Sequence, residues 1–155
     1  MEESLNGMEK IDLNGSEAAG TCDFAWTLDR FMDLPTRDWS QYSPLTLAWI
    51  GDTVYDLIVR TVLLKRANMQ TDKLHRRASS IVNAKSQAKR MKEILPILTD
   101  RETSIYRRGR NASPPHTAKN AERGEYLEAT GFECLIGYLY LDRQYERLLE
   151  LVGPL

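Results

Sequence analysis

Two stretches of this chain place a carboxylate where its surroundings ask for a reason. The first is Leu45 to Arg60, LTLAWIGDTVYDLIVR, where Asp52 stands among Leu47, Ala48, Trp49, Ile50, Val54, Tyr55 and more apolar residues beyond. An ionised carboxylate buried in such company is costly unless a positive group meets it. Asp52 is therefore a candidate for a metal or catalytic site. The plainer alternative is a carboxylate answered by a helix terminus or an arginine. The second stretch is EYLEATGFECLIGYLYL, residues 125–141, in which Glu133 shares a helix face with Ala129, Thr130 and Gly137. Small neighbours leave room around that carboxylate or admit another helix.

Between the two acids lies most of the positive charge. Residues 60–123 hold sixteen Lys and Arg against five acids, net +11, while 1–40 net −6, 41–59 net −2 and 124–155 net −4. A cationic block between acidic flanks suits a polyanion, because each phosphate contact releases condensed counterions. A set of merely solvated helix faces is the alternative. The two histidines, His75 and His116, lie far from both acids in sequence, and neither a serine–histidine nor a cysteine–histidine arrangement suggests itself.

These residues need elements to position them. At 155 residues, 42% hydrophobic and 28% charged, the chain suits one domain with a proper core. No β-branched run alternates with polar residues over strand length, so the fold class expected is all-α. Ser43-Pro44 start a central helix running to about Lys65. That helix is apolar nearly all round and must be covered by its own domain, a partner subunit, or both. Its charges at Asp52, Asp56 and Arg60 rule out a membrane span.

A second long helix is expected from Thr71 to about Leu95, ended by Pro96. Its buried stripe is Leu74, Ala78, Ile81, Ala84, Ala88, Met91 and Leu95, with Lys73, Arg76, Arg77, Lys85, Lys89, Arg90 and Lys92 on the remainder and His75 on the polar face. Thr99 to Glu102 form a capping box that launches a helix to about Arg108, where Gly109 stops it. The segment Arg108 to Asn120 then reads as a basic, proline-bearing loop, either a ligand-approaching segment or a plain surface connector. A helix from about Ala118 to Leu141 follows. Asp142 caps a last one, in which Tyr145, Leu148, Leu149 and Val152 face inward.

Residues 1–40 form an acidic extension ahead of the domain at 41–155. Its first 22 residues are expected to form a loose tail and Phe24 to Leu34 an amphipathic turn or two, with acidic charge suited to shielding the basic surface. The start MEESLNGMEK has no apolar core region of a secretory signal, and Cys22 and Cys134 read as free thiols in a reducing, cytoplasmic compartment.

Four blocks, LAWIGDTVYDLIVR, LHRRASSIVNAKSQA, RRGRNA with AKN downstream, and ATGFECLIGYLYL, closely resemble the ribonuclease III nuclease domain. The likeness runs from about Ser43 to Val152. It is to the Mini-ribonuclease III form, which has no separate double-stranded-RNA-binding domain. The resemblance implies an all-α endonuclease fold, a homodimer, double-stranded RNA as substrate, Mg²⁺ as cofactor and a role in maturing the 23S ribosomal RNA precursor. It places Asp52 and Glu133 as the catalytic, metal-binding acids. It places Lys85, Arg108, Arg110, Asn111, Lys119 and Asn120 against RNA.

Where larger ribonuclease III enzymes carry two further carboxylates, this chain has Ala48 and Thr130. Two protein carboxylates cannot fill an octahedral shell, although Mg²⁺ completes such sites with water and substrate phosphate. Asp56, one turn beyond Asp52, either assists that site or pairs with Arg60 at i+4. Two further readings stand beside the nuclease: an RNA-binding module on the same fold that has lost its metal, and a helical dimerisation or adaptor protein.

Overall fold

The computed structural model describes residues 24–112 and 120–155. Two compact units are present, Met1–Thr36 and Arg37–Leu155. Of the first, the described residues 24–36 hold helix α1, Phe24–Met32, none of whose residues is buried. The second holds six α-helices among the described residues: α2 (Pro44–Arg66), α3 (Thr71–Val82), α4 (Ala84–Ile94), α5 (Asp100–Ala112), α6 (Asn120–Leu141) and α7 (Tyr145–Val152). A 3₁₀ turn at Trp39–Gln41 precedes α2, and another at Leu95–Ile97 follows α4.

The all-α class expected from the residue pattern is what the chain adopts, and α6 is its axis. It packs against α2, α5, α4 and α7. Phe132, Leu135, Ile136 and Leu139 of α6 are fully buried, and around them close Leu47 and Val59 of α2, Met91 and Ile94 of α4, and Leu151 of α7. Tyr55 meets Phe132 edge to face at 5.1 Å between ring centroids. Cys134 is a free, buried thiol, its pKa pushed up to about 12 by burial.

The closest approaches onto α6 are made through glycine. A methyl group on Gly51 of α2 would overlap the backbone carbonyl of Glu133, and one on Gly137 of α6 would overlap the carbonyl of Leu47. Gly131 stacks under the Tyr106 ring of α5, where an added Cβ would come within 2.6 Å of the ring. Backbone against backbone is reachable only where neither helix carries a side chain at the crossing.

Gly109 explains the first departure from expectation. It does not end α5, which continues to Ala112, because its missing side chain is used against the Cβ of Cys134 on α6. A glycine inside a helix costs about 1 kcal/mol in propensity, less than the packing it permits.

The helix expected over 71–95 is two helices. Asn83 leaves the helical conformation, its side chain accepts from Ser86 N–H at 2.9 Å, and its amide donates to the carbonyls of Ser79 and Ser80. Asn83 thus ends α3 and caps α4 in one residue, which a continuous apolar stripe conceals. Asp142 does not cap α7. Gln144 holds the N-cap position, and Asp142 accepts from its side chain at 2.7 Å. Leu151, not Leu149, fills the core from α7. Ser43 sits at the N-cap of α2, but its hydroxyl makes no capping bond.

The capping box at Thr99 is present: Glu102 accepts from Thr99 N–H at 2.8 Å, and Glu102 N–H donates to the Thr99 hydroxyl at 3.2 Å. Glu102 is itself buried and meets Arg147 of α7 through two bonds of 2.9 Å. Arg147 holds its carboxyl below the usual range, and also donates to the Ile97 carbonyl.

Because the α2–α6 crossing has no room for a methyl group, Gly51→Ala should destabilise the fold by about 3 kcal/mol or more. Urea denaturation followed by circular dichroism measures this, and a loss below about 1 kcal/mol would mean that the helices separate easily.

Candidate active site

Asp52 follows Gly51 directly, so the crossing that presses α2 onto α6 also sets Asp52 beside Glu133. Asp52 is not buried as its neighbours led one to expect. α2 buries Leu47, Ala48, Gly51, Val54, Tyr55 and Val59 on one side and exposes Leu45, Trp49, Leu57 and Leu64 on the other, and Asp52 reaches solvent at the margin between them. Glu133 is half-buried. Burial first, and then the negative charge of Asp52, push its pKa up to about 7, against a hydrogen bond from Gln87 that favours the charged form. Two acids from positions far apart in sequence are thus one electrostatic unit. The charge acting on Glu133 is that of another acid.

Gln87 of α4 was not foreseen as part of this site. It lies in the buried stripe between Ala84 and Met91, where residue type alone gives no hint of a carboxylate opposite. Its Nε2 also donates to the Val82 carbonyl at 3.1 Å. Thr130, one turn before Glu133, spends its hydroxyl on the Tyr126 carbonyl at 3.0 Å within its own helix, and Ala48 carries no ligand atom. Asp56 pairs with Arg60 at 2.6 Å, as its i+4 spacing allows, and leaves Oδ1 buried without a partner.

Among the described residues no group of three or more His, Cys, Asp and Glu side chains could hold a metal. What the pair offers is two hard carboxylate oxygens sources whose mutual repulsion a divalent cation would relieve. That donor set fits Mg²⁺, which takes one or two carboxylates and keeps several waters.

The residues expected against RNA are placed as follows. Lys85 is exposed in the first turn of α4, and Asn111 is exposed near the end of α5. Arg108 turns inward and donates to the backbone carbonyls of Ser40 and Tyr42, the latter at 2.8 Å, so its guanidinium fastens the segment leading into α2. Arg110 meets Glu128 of α6 at 2.6 Å, and the Tyr106 hydroxyl donates to the same carboxylate. Asn120 begins α6, and Lys119 lies outside the described residues.

Arg107, absent from the expected set, is exposed and has no ion-pair or hydrogen-bond partner among the described residues. It lines a cavity of about 700 Å³ with Pro44, Thr103, Ser104 and Asn111, and a second of about 500 Å³ with Tyr106 and Arg110. No sequence signal marked it, because Arg107, Arg108 and Arg110 are alike in type and only the packed helix shows which of them is left to solvent.

Comparison with known proteins decides the family. The ribonuclease III domain model matches residues 45–144, a span that includes both acids. The chain belongs to the ribonuclease III family. Within it, the chain is 46% identical over 109 residues to a protein of Symbiobacterium thermophilum named Mini-ribonuclease 3, covering 70% of this chain and 84% of that one. It is 44% identical over 119 residues to the Mini-ribonuclease 3 of Enterococcus faecalis, covering 76% and 90%. A crystal structure of a Fusobacterium nucleatum protein matches with a TM-score of 0.65 at 29% identity, over 72% of this chain and 89% of that one. This ribonuclease III family member is accordingly an endoribonuclease.

The coupled acids give a pH signature. Folded Glu133 keeps its proton to about pH 7, while its ordinary value is 4.5. The folded state therefore binds the extra proton between those values, and stability falls as pH rises through that window. Above it the charged carboxylate is a standing cost. Glu133→Gln should raise Tm by several degrees at about pH 8.5 and leave it nearly unchanged at about pH 5, read by thermal melts in chelator. Equal effects at both pH values would show that Glu133 is not strained.

Proposed function

We propose that the chain cuts double-stranded RNA as a homodimer, with Mg²⁺ held by Asp52 and Glu133. Its substrate on this reading is the 23S ribosomal RNA precursor, both ends of which it matures in the cytoplasm. The observation that carries the proposal is the pair itself: a side-chain-free helix crossing sets the two acids near each other, and burial together with the charge of Asp52 raises the pKa of Glu133, a cost that a bound cation would offset. The precursor is carried over from the family resemblance.

When bound, the ion supplies charge neutralisation at the scissile phosphate and lowers the pKa of the attacking water. The protein's own part is to hold that ion and to orient the phosphates. Asp52 presents its carboxylate from the solvent margin of α2, and Glu133 presents its own from half-buried α6. Lys85, Asn111, Lys119 and Asn120 are the proposed RNA contacts. Arg108 and Arg110 support them by fixing the α2 entry segment and the α5–α6 pair, and Arg107 takes the outward role. Recognition then rests on the A-form backbone and its 2′-hydroxyls rather than on base sequence.

The exposed side of α2 favours the homodimer. Trp49 is 77% exposed, with Leu45, Leu57 and Leu64 also bared along the same helix. Several large apolar side chains bared on one helix favour a protein contact there. A second copy supplies the cover and would set two acid pairs against the two strands of one duplex.

Asp52→Asn should slow cutting of a duplex RNA in Mg²⁺ by about 100-fold or more while leaving duplex binding in chelator intact. Residual activity equal to wild type would hand the basic face to a mere binding role. In sedimentation at micromolar concentration the wild type should run as a dimer and Trp49→Glu as a folded monomer. A wild-type monomer would remove the dimer from the proposal.

A further inference from the structure

Gln87 is 1% exposed, yet it is not a residue that burial rewards. Its amide is only partly satisfied. One N–H goes to the Val82 carbonyl, the amide lies close enough to the Glu133 carboxylate to favour its charged form, and Oε1 is buried without a partner. The orientation is fixed by chemistry, because turning the amide over would set its oxygen against the Val82 carbonyl oxygen. A buried, unpaired amide oxygen lowers stability, and a methionine of similar size would fill the same space without that loss. Packing alone does not account for a glutamine here. What the amide does that no apolar side chain can do is donate to a carboxylate.

We propose that Gln87 is a positioning residue for the ion site, holding the Glu133 carboxylate in the orientation that faces Asp52. It does so from a rigid anchor. Val82 is the last residue of α3, and Asn83 closes the corner between α3 and α4 with its own hydrogen bonds. Gln87 therefore ties the carboxylate on α6 to the hydrogen-bonded corner between α3 and α4. Groups that orient a metal ligand in this way act through it, and their loss weakens metal affinity or activity by about 10- to 100-fold. With Ala48 and Thr130 supplying no carboxylate, a site of two ligands depends more on the aim of each.

This inference rests on the proposed acid pair, so the test must separate the two. Gln87→Met and Gln87→Asn are compared with wild type and Asp52→Asn. Mn²⁺ affinity of the RNA-free protein is measured by titration calorimetry, kcat and KM on a duplex RNA in Mg²⁺, and Tm by thermal melts. The expected result for Gln87→Met is a Tm no lower than wild type, a fall in Mn²⁺ affinity and kcat of about 10-fold, and an unchanged KM. Gln87→Asn keeps the amide but falls one methylene short, and should show the same split with a smaller loss. Wild-type Mn²⁺ affinity and kcat in Gln87→Met, with Asp52→Asn inactive, overturns the role of Gln87 and leaves the acid pair standing. A loss of activity that tracks a fall in Tm in both Gln87 variants makes Gln87 structural and overturns the proposal too. Full activity in Asp52→Asn removes the acid pair itself.

Discussion

Everything at the site depends on how near two helix backbones can come. Gly51 and Gly137 remove the side chains at the α2–α6 crossing, and each lies against a carbonyl of the opposite helix. That approach brings Asp52 and Glu133, carried on different helices, into one field. The same crossing cannot be relaxed to relieve their repulsion, because the flanking residues Leu47, Val59, Phe132 and Ile136 are fully packed. Close packing therefore keeps Glu133 both half-buried and beside a second acid, and burial first, then that neighbouring charge, let it hold its proton to about pH 7.

Around this crossing the arginines divide into two kinds. Arg108 and Arg147 are used on the protein itself, one on backbone carbonyls ahead of α2 and the other on the buried Glu102. Bidentate and carbonyl-directed bonds of this sort suit the planar guanidinium better than a lysine. Arg107, by contrast, faces solvent beside the cavities along α5. Net charge over residues 60–123 describes the region well and the individual residues badly, since adjacent arginines on a helix point in unlike directions.

The sequence made the helical class, the apolar core of α6 and the capping box at Thr99 readable, because period, burial and reciprocal capping are local signals. Position 133 was singled out by small neighbours on one face, and Gly137 among them is indeed where α2 comes in. What could not be read was anything decided by the opposite helix. Gly109 has the chemistry of a helix stop but serves as a contact, because Cys134 stands across from it. Asn83 interrupts a periodic stripe through a cap that only the bent backbone reveals. Asp52 looked buried because its neighbours are apolar, although an uncovered side of α2 leaves it at the margin. Gln87 gave no signal, for its partner lies on another helix.

The pairing of Glu102 with Arg147 spans 45 residues of chain. Translation therefore delivers the acid at the head of α5 long before the guanidinium that answers it in the finished fold. A nascent chain that has made α5 and α6 but not α7 must keep Glu102 hydrated. The interior between α5 and the 3₁₀ turn at Leu95–Ile97 thus closes only when the last helix has left the ribosome. The shortest helix of the second unit is in this sense its latch, and vectorial synthesis makes it the closing step.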